Sequence, residues 1–182
     1  MAIFNEALSD DLIDFINQQH LFFIATTPVK GRINLSPKGM NTFRCLSPTS
    51  VAYLDLTGSG NETSAHIMEN PRVTIMFCSF DHKPLILRIY GRGRVKHPTD
   101  PDWPNLLSAF DSCPGMRQIM VIDIESVQTS CGFAVPVLEF KEERQTLIKW
   151  AEHHGPDGLD KYHQEKNKIS IDGLPARPFV VV

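Results

Sequence analysis

The chain has 182 residues, a formal net charge of −3 and 42% hydrophobic residues, which suits one folded domain and argues against overall disorder. The weakly acidic balance excludes a general positive field for nucleic acid or membrane surfaces, and no apolar run reaches the roughly 20 residues of a membrane span. The acidic N-terminus lacks the basic start of a secretory signal, and the four cysteines are widely spaced. We therefore expect a cytoplasmic protein with reduced thiols.

Short strands dominate the first half of the chain after one N-terminal helix. Ser9 is a suitable N-cap for an amphipathic helix over residues 9–19. Alternation and turn residues then predict strands over 21–26, 32–35, 51–56 and 73–78. A glycine-rich loop over 57–61 leads into a short helix over 63–69, which Pro71 terminates.

The second half begins with a long predicted strand over 85–95, in which Gly91 and Gly93 indicate a bulge or sharp bend. Further elements are a helix over 105–110, a strand over 116–129, helices over 139–152 and 159–168, and an extended C-terminal end. Six strands joined by tight turns predict a mainly β (α+β) fold, an antiparallel barrel with peripheral helices. We expect a barrel domain over 1–135 and an extension over 136–182 packed on it.

One polar strand face could bind an anion. Alternation places Arg32, Asn34, Ser36 and Lys38 on the same side of their strand. Arginine and lysine suit a phosphate group, with hydroxyl and amide groups adding hydrogen bonds. A solvated edge strand explains the same pattern equally well.

The loop over 57–61 is a second candidate, because a glycine-rich loop before a helix offers free backbone N–H groups to an anion. The loop matches neither of the two common glycine-rich phosphate motifs, and Asn61 or Thr63 would serve equally as a helix cap. The strand around Arg88 is locally basic, with a solvated edge as the simpler interpretation. The seven histidines form no metal-binding spacing, and Cys131 is either a reactive thiol or a small filler.

Several stretches together resemble the pyridoxamine 5′-phosphate oxidase-like, FMN-binding split-barrel family. They are GRINLSPKG, YLDLTGSGNETSAHI, NPRVTIMF and LRIYGRGRV, in the family's order and spacing, and SCGFAVP resembles the ending of one subgroup. The resemblance covers roughly residues 10–132. It implies a six-stranded antiparallel split β-barrel with peripheral helices, a homodimer, and FMN bound in clefts at the subunit interface.

The resemblance also implies site residues. Ser36, Lys38, Asn61 and Thr63 match positions that bind the FMN phosphate, Arg88 matches a position facing the flavin ring, and Arg117 begins a strand that reaches the site. A cation beside the ring would stabilise the reduced, anionic flavin. The matched positions therefore imply an FMN-dependent oxidoreductase acting on a small-molecule substrate.

The chain departs from the authentic oxidases at two places. The segment Gly60-Asn61-Glu62-Thr63 stands where they carry a Ser-Arg-Lys triplet, so that Glu62 puts a negative charge where a cation would help. Their C-terminal Arg-Leu-His-Asp-Arg segment is replaced by a different ending. These departures favour a different substrate. They also leave open a non-catalytic split-barrel dimer with weak or no flavin binding, acting as a carrier, sensor or interaction module. Haem binding is a third and weaker alternative.

Overall fold

The computed structural model describes residues 2–179, which form one curved antiparallel sheet with helices around it. The elements in chain order are β1 (Ile3–Asn5), α1 (Asp10–Asn17), β2 (Phe22–Thr26), β3 (Asn34–Lys38), β4 (Phe43–Ser47), β5 (Ser50–Leu56), α2 (Glu62–Glu69), β6 (Arg72–Cys78), β7 (Ile86–Lys96), α3 (Trp103–Leu107), β8 (Met116–Ser130) and α4 (Thr146–Lys166). Within this range, every helix is too short or too polar to cross a membrane.

The strand order is β3-β2-β6-β7-β8-β5-β4, and all pairings are antiparallel. The long strand β8 pairs with β7 along most of its length and with β5 and then β1 on its other edge. The register of β7 shifts between Tyr90 and Gly91, where a β-carbon on Gly91 would collide with the backbone oxygen of Asp123. The bulge predicted from this glycine is therefore confirmed.

Alternation along the strands creates two apolar layers. On the inner face of the barrel, Ile24, Ile75 and Ile89 are completely buried. The strands β5 and β8 are buried on both faces, because Trp103 and Phe110 cover their outer side. This double burial explains the continuous apolar runs that mark both strands in the sequence.

The structure confirms the mainly β class but corrects the number of strands from six to eight. The strands β1 and β4 were not predicted, because three to five residues at a sheet edge carry too little alternation to be recognised. The predicted strand over 32–35 lies instead at Asn34–Lys38. Its register with β2 places Asn34 opposite Thr26 and Lys38 opposite Phe22.

The C-terminal extension also differs from its predicted elements. Helix α4 begins only at Thr146, and residues 139–145 are not helical. Phe140 in this segment stacks on His20, with ring centroids 3.6 Å apart. The helix kinks at Gly155 (φ 62°), and its second half ends at Lys166, two residues before the end of the predicted helix over 159–168. The predicted extended end instead turns back on itself at residues 171–173, where Ile169 and Pro175 form an isolated antiparallel bridge. Residues 180–182 lie outside the described range. The domain boundary at residue 135 stays a prediction.

Candidate functional site

A polar cleft of about 630 Å³ lies where β3, the loop after β5, the start of α2 and the segment after α4 meet. Ser36 and Lys38 line it from β3, and Thr63 lines it from α2. Arg117 enters from the start of β8. The fold therefore brings together polar side chains from four distant parts of the sequence. Strand alternation and loop chemistry predicted two of these parts, and Arg117 was predicted only through the family resemblance.

Asp55 organises the floor of the cleft. Its buried carboxylate accepts hydrogen bonds from Lys38 Nζ at 2.7 Å, Arg117 Nε at 2.8 Å and Gln118 Nε2 at 2.7 Å. Burial raises the pKa of Asp55, but the positive charges of Arg117 and Lys38 outweigh it and hold that pKa below its usual value. Asp55 is therefore ionised, and both cations are committed to it.

Asn61 lies at the N-cap position of α2, but its side chain makes no capping hydrogen bond. Its Oδ1 accepts from Gln118 Nε2 at 2.7 Å, and its Nδ2 donates to the backbone oxygen of Asn167 at 3.2 Å. The residue is 1% exposed and is absent from the cleft lining. Asn61 thus braces the glycine-rich loop from behind, next to the predicted anion site.

Three polar residues form a connected strip along the cleft wall. Ser36 Oγ donates to Asn34 Oδ1 at 3.1 Å, and Asn34 Nδ2 donates to Thr63 Oγ1 at 3.2 Å. Arg32 does not join them, because it precedes β3 and pairs with Asp172 on the surface. Of the four residues predicted to share a face, Asn34, Ser36 and Lys38 reach the cleft.

The glycine-rich loop lines the cleft with Gly58, Ser59 and Gly60. The carbonyl oxygens of Gly58 and Gly60 accept hydrogen bonds from Asn167 and Arg117. Glu62 follows in the first turn of α2 and adds a negative charge to the same wall. Its carboxylate accepts the backbone N–H of Ile171, with N–O distances of 3.1 and 3.2 Å. The C-terminal segment therefore already occupies part of the hydrogen-bonding capacity of Glu62.

Arg88 lies on the opposite face of the sheet from this cleft. Its neighbours Leu87 and Ile89 are completely buried in the barrel, so alternation directs Arg88 outward. Arg88 Nη1 donates to Ser130 Oγ at 3.3 Å. Within one chain, the structure does not bring Arg88 together with the other predicted site residues.

Sequence reasoning missed four residues of the site. Asp55 could have been found, because an acidic residue inside the apolar strand β5 needs a buried partner. Lys166, Asn167 and Ser170 come from the end of α4 and the segment after it. They lie more than 100 residues from the glycine-rich loop, and no local pattern marks them.

A second cavity of about 830 Å³ adjoins the cleft and shares Pro37, Lys38 and Gly58 with it. The C-terminal extension covers this cavity, whose lining is largely apolar and includes Leu56 and Trp150. The two spaces meet at Lys38, so a ligand in one could lie next to a ligand in the other.

Solved structures share this fold, among them the following two. The first is HupZ of Group A Streptococcus, which is 20% identical with a TM-score of 0.53, covering 66% of this chain and 91% of that chain. The second is described as an FAD binding protein from Mycobacterium smegmatis, at 16% identity and a TM-score of 0.51, covering 69% of this chain and 97% of that chain. At these identities the likeness extends to the fold alone.

Sequence comparison is more specific. A relative from Aspergillus flavus, described as pyridoxamine 5′-phosphate oxidase family protein ustO, is 42% identical over 193 aligned positions. The alignment covers 96% of this chain and 78% of the relative. The family profile described as pyridoxamine 5′-phosphate oxidase matches residues 8–131, from just before α1 to the end of β8. The chain therefore belongs to the pyridoxamine 5′-phosphate oxidase family.

Proposed function

We propose that the protein binds FMN in the polar cleft and is an FMN-dependent oxidoreductase. The observation that carries this proposal is the convergence of Lys38, Ser36 and Thr63 beside a glycine-rich loop and the N-terminus of α2. Such a loop and helix start present N–H groups and a positive dipole end to an anion. The fold neighbour described as an FAD binding protein is consistent with a flavin ligand.

The residues present fit the phosphate end of FMN. The cleft volume of about 630 Å³ falls within the roughly 300–1,000 Å³ usual for small-molecule sites. The side chain of Lys38 is 23% exposed and can contact a ligand while it remains paired with Asp55. Ser36 and Thr63 would add hydroxyl groups, and Arg117 and Asn61 hold the loop in place from below. When bound, FMN supplies the hydride chemistry, and the chain positions it.

The adjoining cavity provides room for a small-molecule substrate. Its apolar wall, which includes Leu56 and Trp150, would exclude water beside the cofactor. The departures from the authentic oxidases at Glu62 and at the C-terminus favour a substrate other than pyridoxamine 5′-phosphate.

We also propose that the protein is a homodimer. Leu35 and Phe4 are each 64% exposed on the outer face of the sheet, the face that also carries Arg88 and Tyr90. We infer that the dimer interface lies on this face, because exposed apolar side chains there would be buried against a second copy. Arg88 would then reach a flavin from across that interface, where its charge would stabilise the reduced, anionic form.

A cytoplasmic location fits this proposal. Cys45, Cys78, Cys113 and Cys131 are all free. Four unpaired thiols in one chain suit a reducing compartment.

A non-catalytic split-barrel dimer is the second candidate, as a carrier, sensor or interaction module. Asp55 neutralises part of the charge of Lys38 and Arg117, and Glu62 lines the same cleft. This charge cancellation favours weak flavin binding, so it is the observation behind the alternative.

Fluorescence titration of the purified protein with FMN tests the proposal. We expect saturable quenching of flavin fluorescence and loss of about tenfold in affinity for Lys38→Ala, the value of one charge-assisted hydrogen bond. Lys30→Ala, in an exposed turn, is the matched control, and thermal melts identify variants that do not fold. Absence of flavin binding would exclude the oxidoreductase. Binding without reduction by nicotinamide or other donors would favour the non-catalytic alternative.

A further inference from the structure

We propose that the C-terminal extension completes the cofactor site and that Lys166 is the cation that attracts the phosphate group. This inference rests on the proposed FMN site and adds a residue outside the region that the family profile matches. Lys166 is the last residue of α4 and lines the polar cleft together with Lys38 and Thr63.

The charges of the cleft show why a third cation matters. Lys38 and Arg117 contribute two positive charges, and Asp55 and Glu62 contribute two negative charges. These four groups sum to zero, which would give a phosphate dianion little net attraction. Lys166 makes the local sum positive by one charge.

Lys166 is also available to a ligand. No carboxylate among residues 2–179 forms an ion pair with it. Lys38 and Arg117, in contrast, both pair with Asp55 at 2.7 and 2.8 Å. An unpaired ammonium group on the wall of a cleft can bind a phosphate without first breaking an internal contact.

Asn167 holds the backbone next to Lys166 in position. Its side chain is completely buried, accepts from Arg117 Nη1 at 2.8 Å and donates to the backbone oxygen of Gly58 at 3.1 Å. Its backbone oxygen accepts from Asn61 Nδ2 at 3.2 Å. These three bonds fix the end of α4 against the glycine-rich loop, so Lys166 starts from a defined position at the cleft.

The segment beyond Asn167 closes the same wall. Ser170 and Ile171 line the cleft, and Ile171 donates its backbone N–H to Glu62. The backbone N–H of Ile171 thereby offsets part of the negative charge of the Glu62 carboxylate. The extension therefore both adds a positive charge and partly satisfies the negative charge that opposes a phosphate.

The test compares FMN with riboflavin, which has the same ring and ribityl chain but no phosphate. Both ligands are titrated into the full-length wild-type protein and into Lys166→Met, Lys166→Arg and Lys168→Met. Lys168 is exposed two residues further on and lies outside the cleft lining, so it is a matched control for the loss of one charge.

We expect Lys166→Met to lower FMN affinity about tenfold and to leave riboflavin affinity unchanged, with Lys166→Arg and Lys168→Met close to wild type. The inference is overturned if Lys166→Met binds FMN as wild type does, or if it loses FMN and riboflavin equally. Either result leaves the FMN site itself intact, because wild type still binds. Failure of the wild-type protein to bind either flavin would overturn the proposed function as well.

Discussion

Arg117 Nε lies 2.8 Å from Asp55 Oδ2, and the two side chains are only 4% and 2% exposed. Arg117 also donates to the backbone oxygen of Gly60 at 2.9 Å and to Asn167 Oδ1 at 2.8 Å. One buried ion pair thus connects β5, β8, the glycine-rich loop and the C-terminal extension. The shape of the proposed cofactor site depends on this pair.

Replacement of Asp55 should therefore destabilise the whole protein. Asp55→Asn leaves the buried guanidinium of Arg117 without its counter-charge, which typically costs about 3–5 kcal/mol. Urea unfolding of the variant measures the loss. Asp123→Asn is the control, because Asp123 pairs with Arg94 on the surface, where both side chains are about half exposed. This control should lose less than about 1 kcal/mol, and equal losses in the two variants would contradict the structural role of Asp55.

His163 should make stability dependent on pH. Thr57 Oγ1 donates to the backbone oxygen of Gly115, so His163 Nε2, 2.8 Å away, must donate to Thr57. Burial, followed by the charge of Arg117, lowers the pKa of His163 below its ordinary value of 6.5. The unfolded chain then binds a proton that the folded chain does not, and stability falls as pH drops below about 6.5.

His163→Gln tests this dependence, because glutamine keeps an N–H donor but does not titrate. The free energy of unfolding should fall less between pH 7.5 and pH 5 in the variant than in the wild type. His97 is also buried with a lowered pKa, so some dependence remains. His153→Gln, at an exposed position, should retain the full wild-type dependence. An identical fall in wild type and His163→Gln would show that His163 does not contribute.

Leu35→Arg tests the proposed dimer. The substitution places a charge on the outer face of β3 without touching the core, because Leu35 is 64% exposed. Sedimentation should show a dimer for the wild type and a monomer for the variant, with similar thermal stability of the fold. Met68→Arg, exposed on α2, should remain dimeric. A wild-type monomer would refute the interface, and a dimeric Leu35→Arg would place it elsewhere.

Much of the fold could be predicted from apolar patterning. The strands β2, β5, β6 and β8 lie within one residue of their predicted bounds, because each is buried on at least one face. Helix α3 begins at Trp103 rather than Asn105, because Pro104 fits the first turn of a helix. The short edge strands β1 and β4 carry little periodicity and escape recognition.

The site was predictable only where local chemistry marks it. Alternation identified Ser36 and Lys38, whereas Thr63 was assigned to the site through the family resemblance. Arg88 was assigned to the same site through the family resemblance, but the alternation of side chains along β7 places it on the opposite face of the sheet. Lys166 and Asn167 reach the site only through the tertiary fold, because the side chain of Asn167 contacts residues 50 and 109 positions away in the sequence.

The most direct test of the FMN proposal is an experimental structure of the protein with FMN. We predict density for the phosphate group in the cleft, within hydrogen-bonding distance of Lys38 Nζ and of the hydroxyl groups of Ser36 and Thr63. A flavin phosphate bound at another surface, or crystals grown with saturating FMN that show no flavin, would contradict the account.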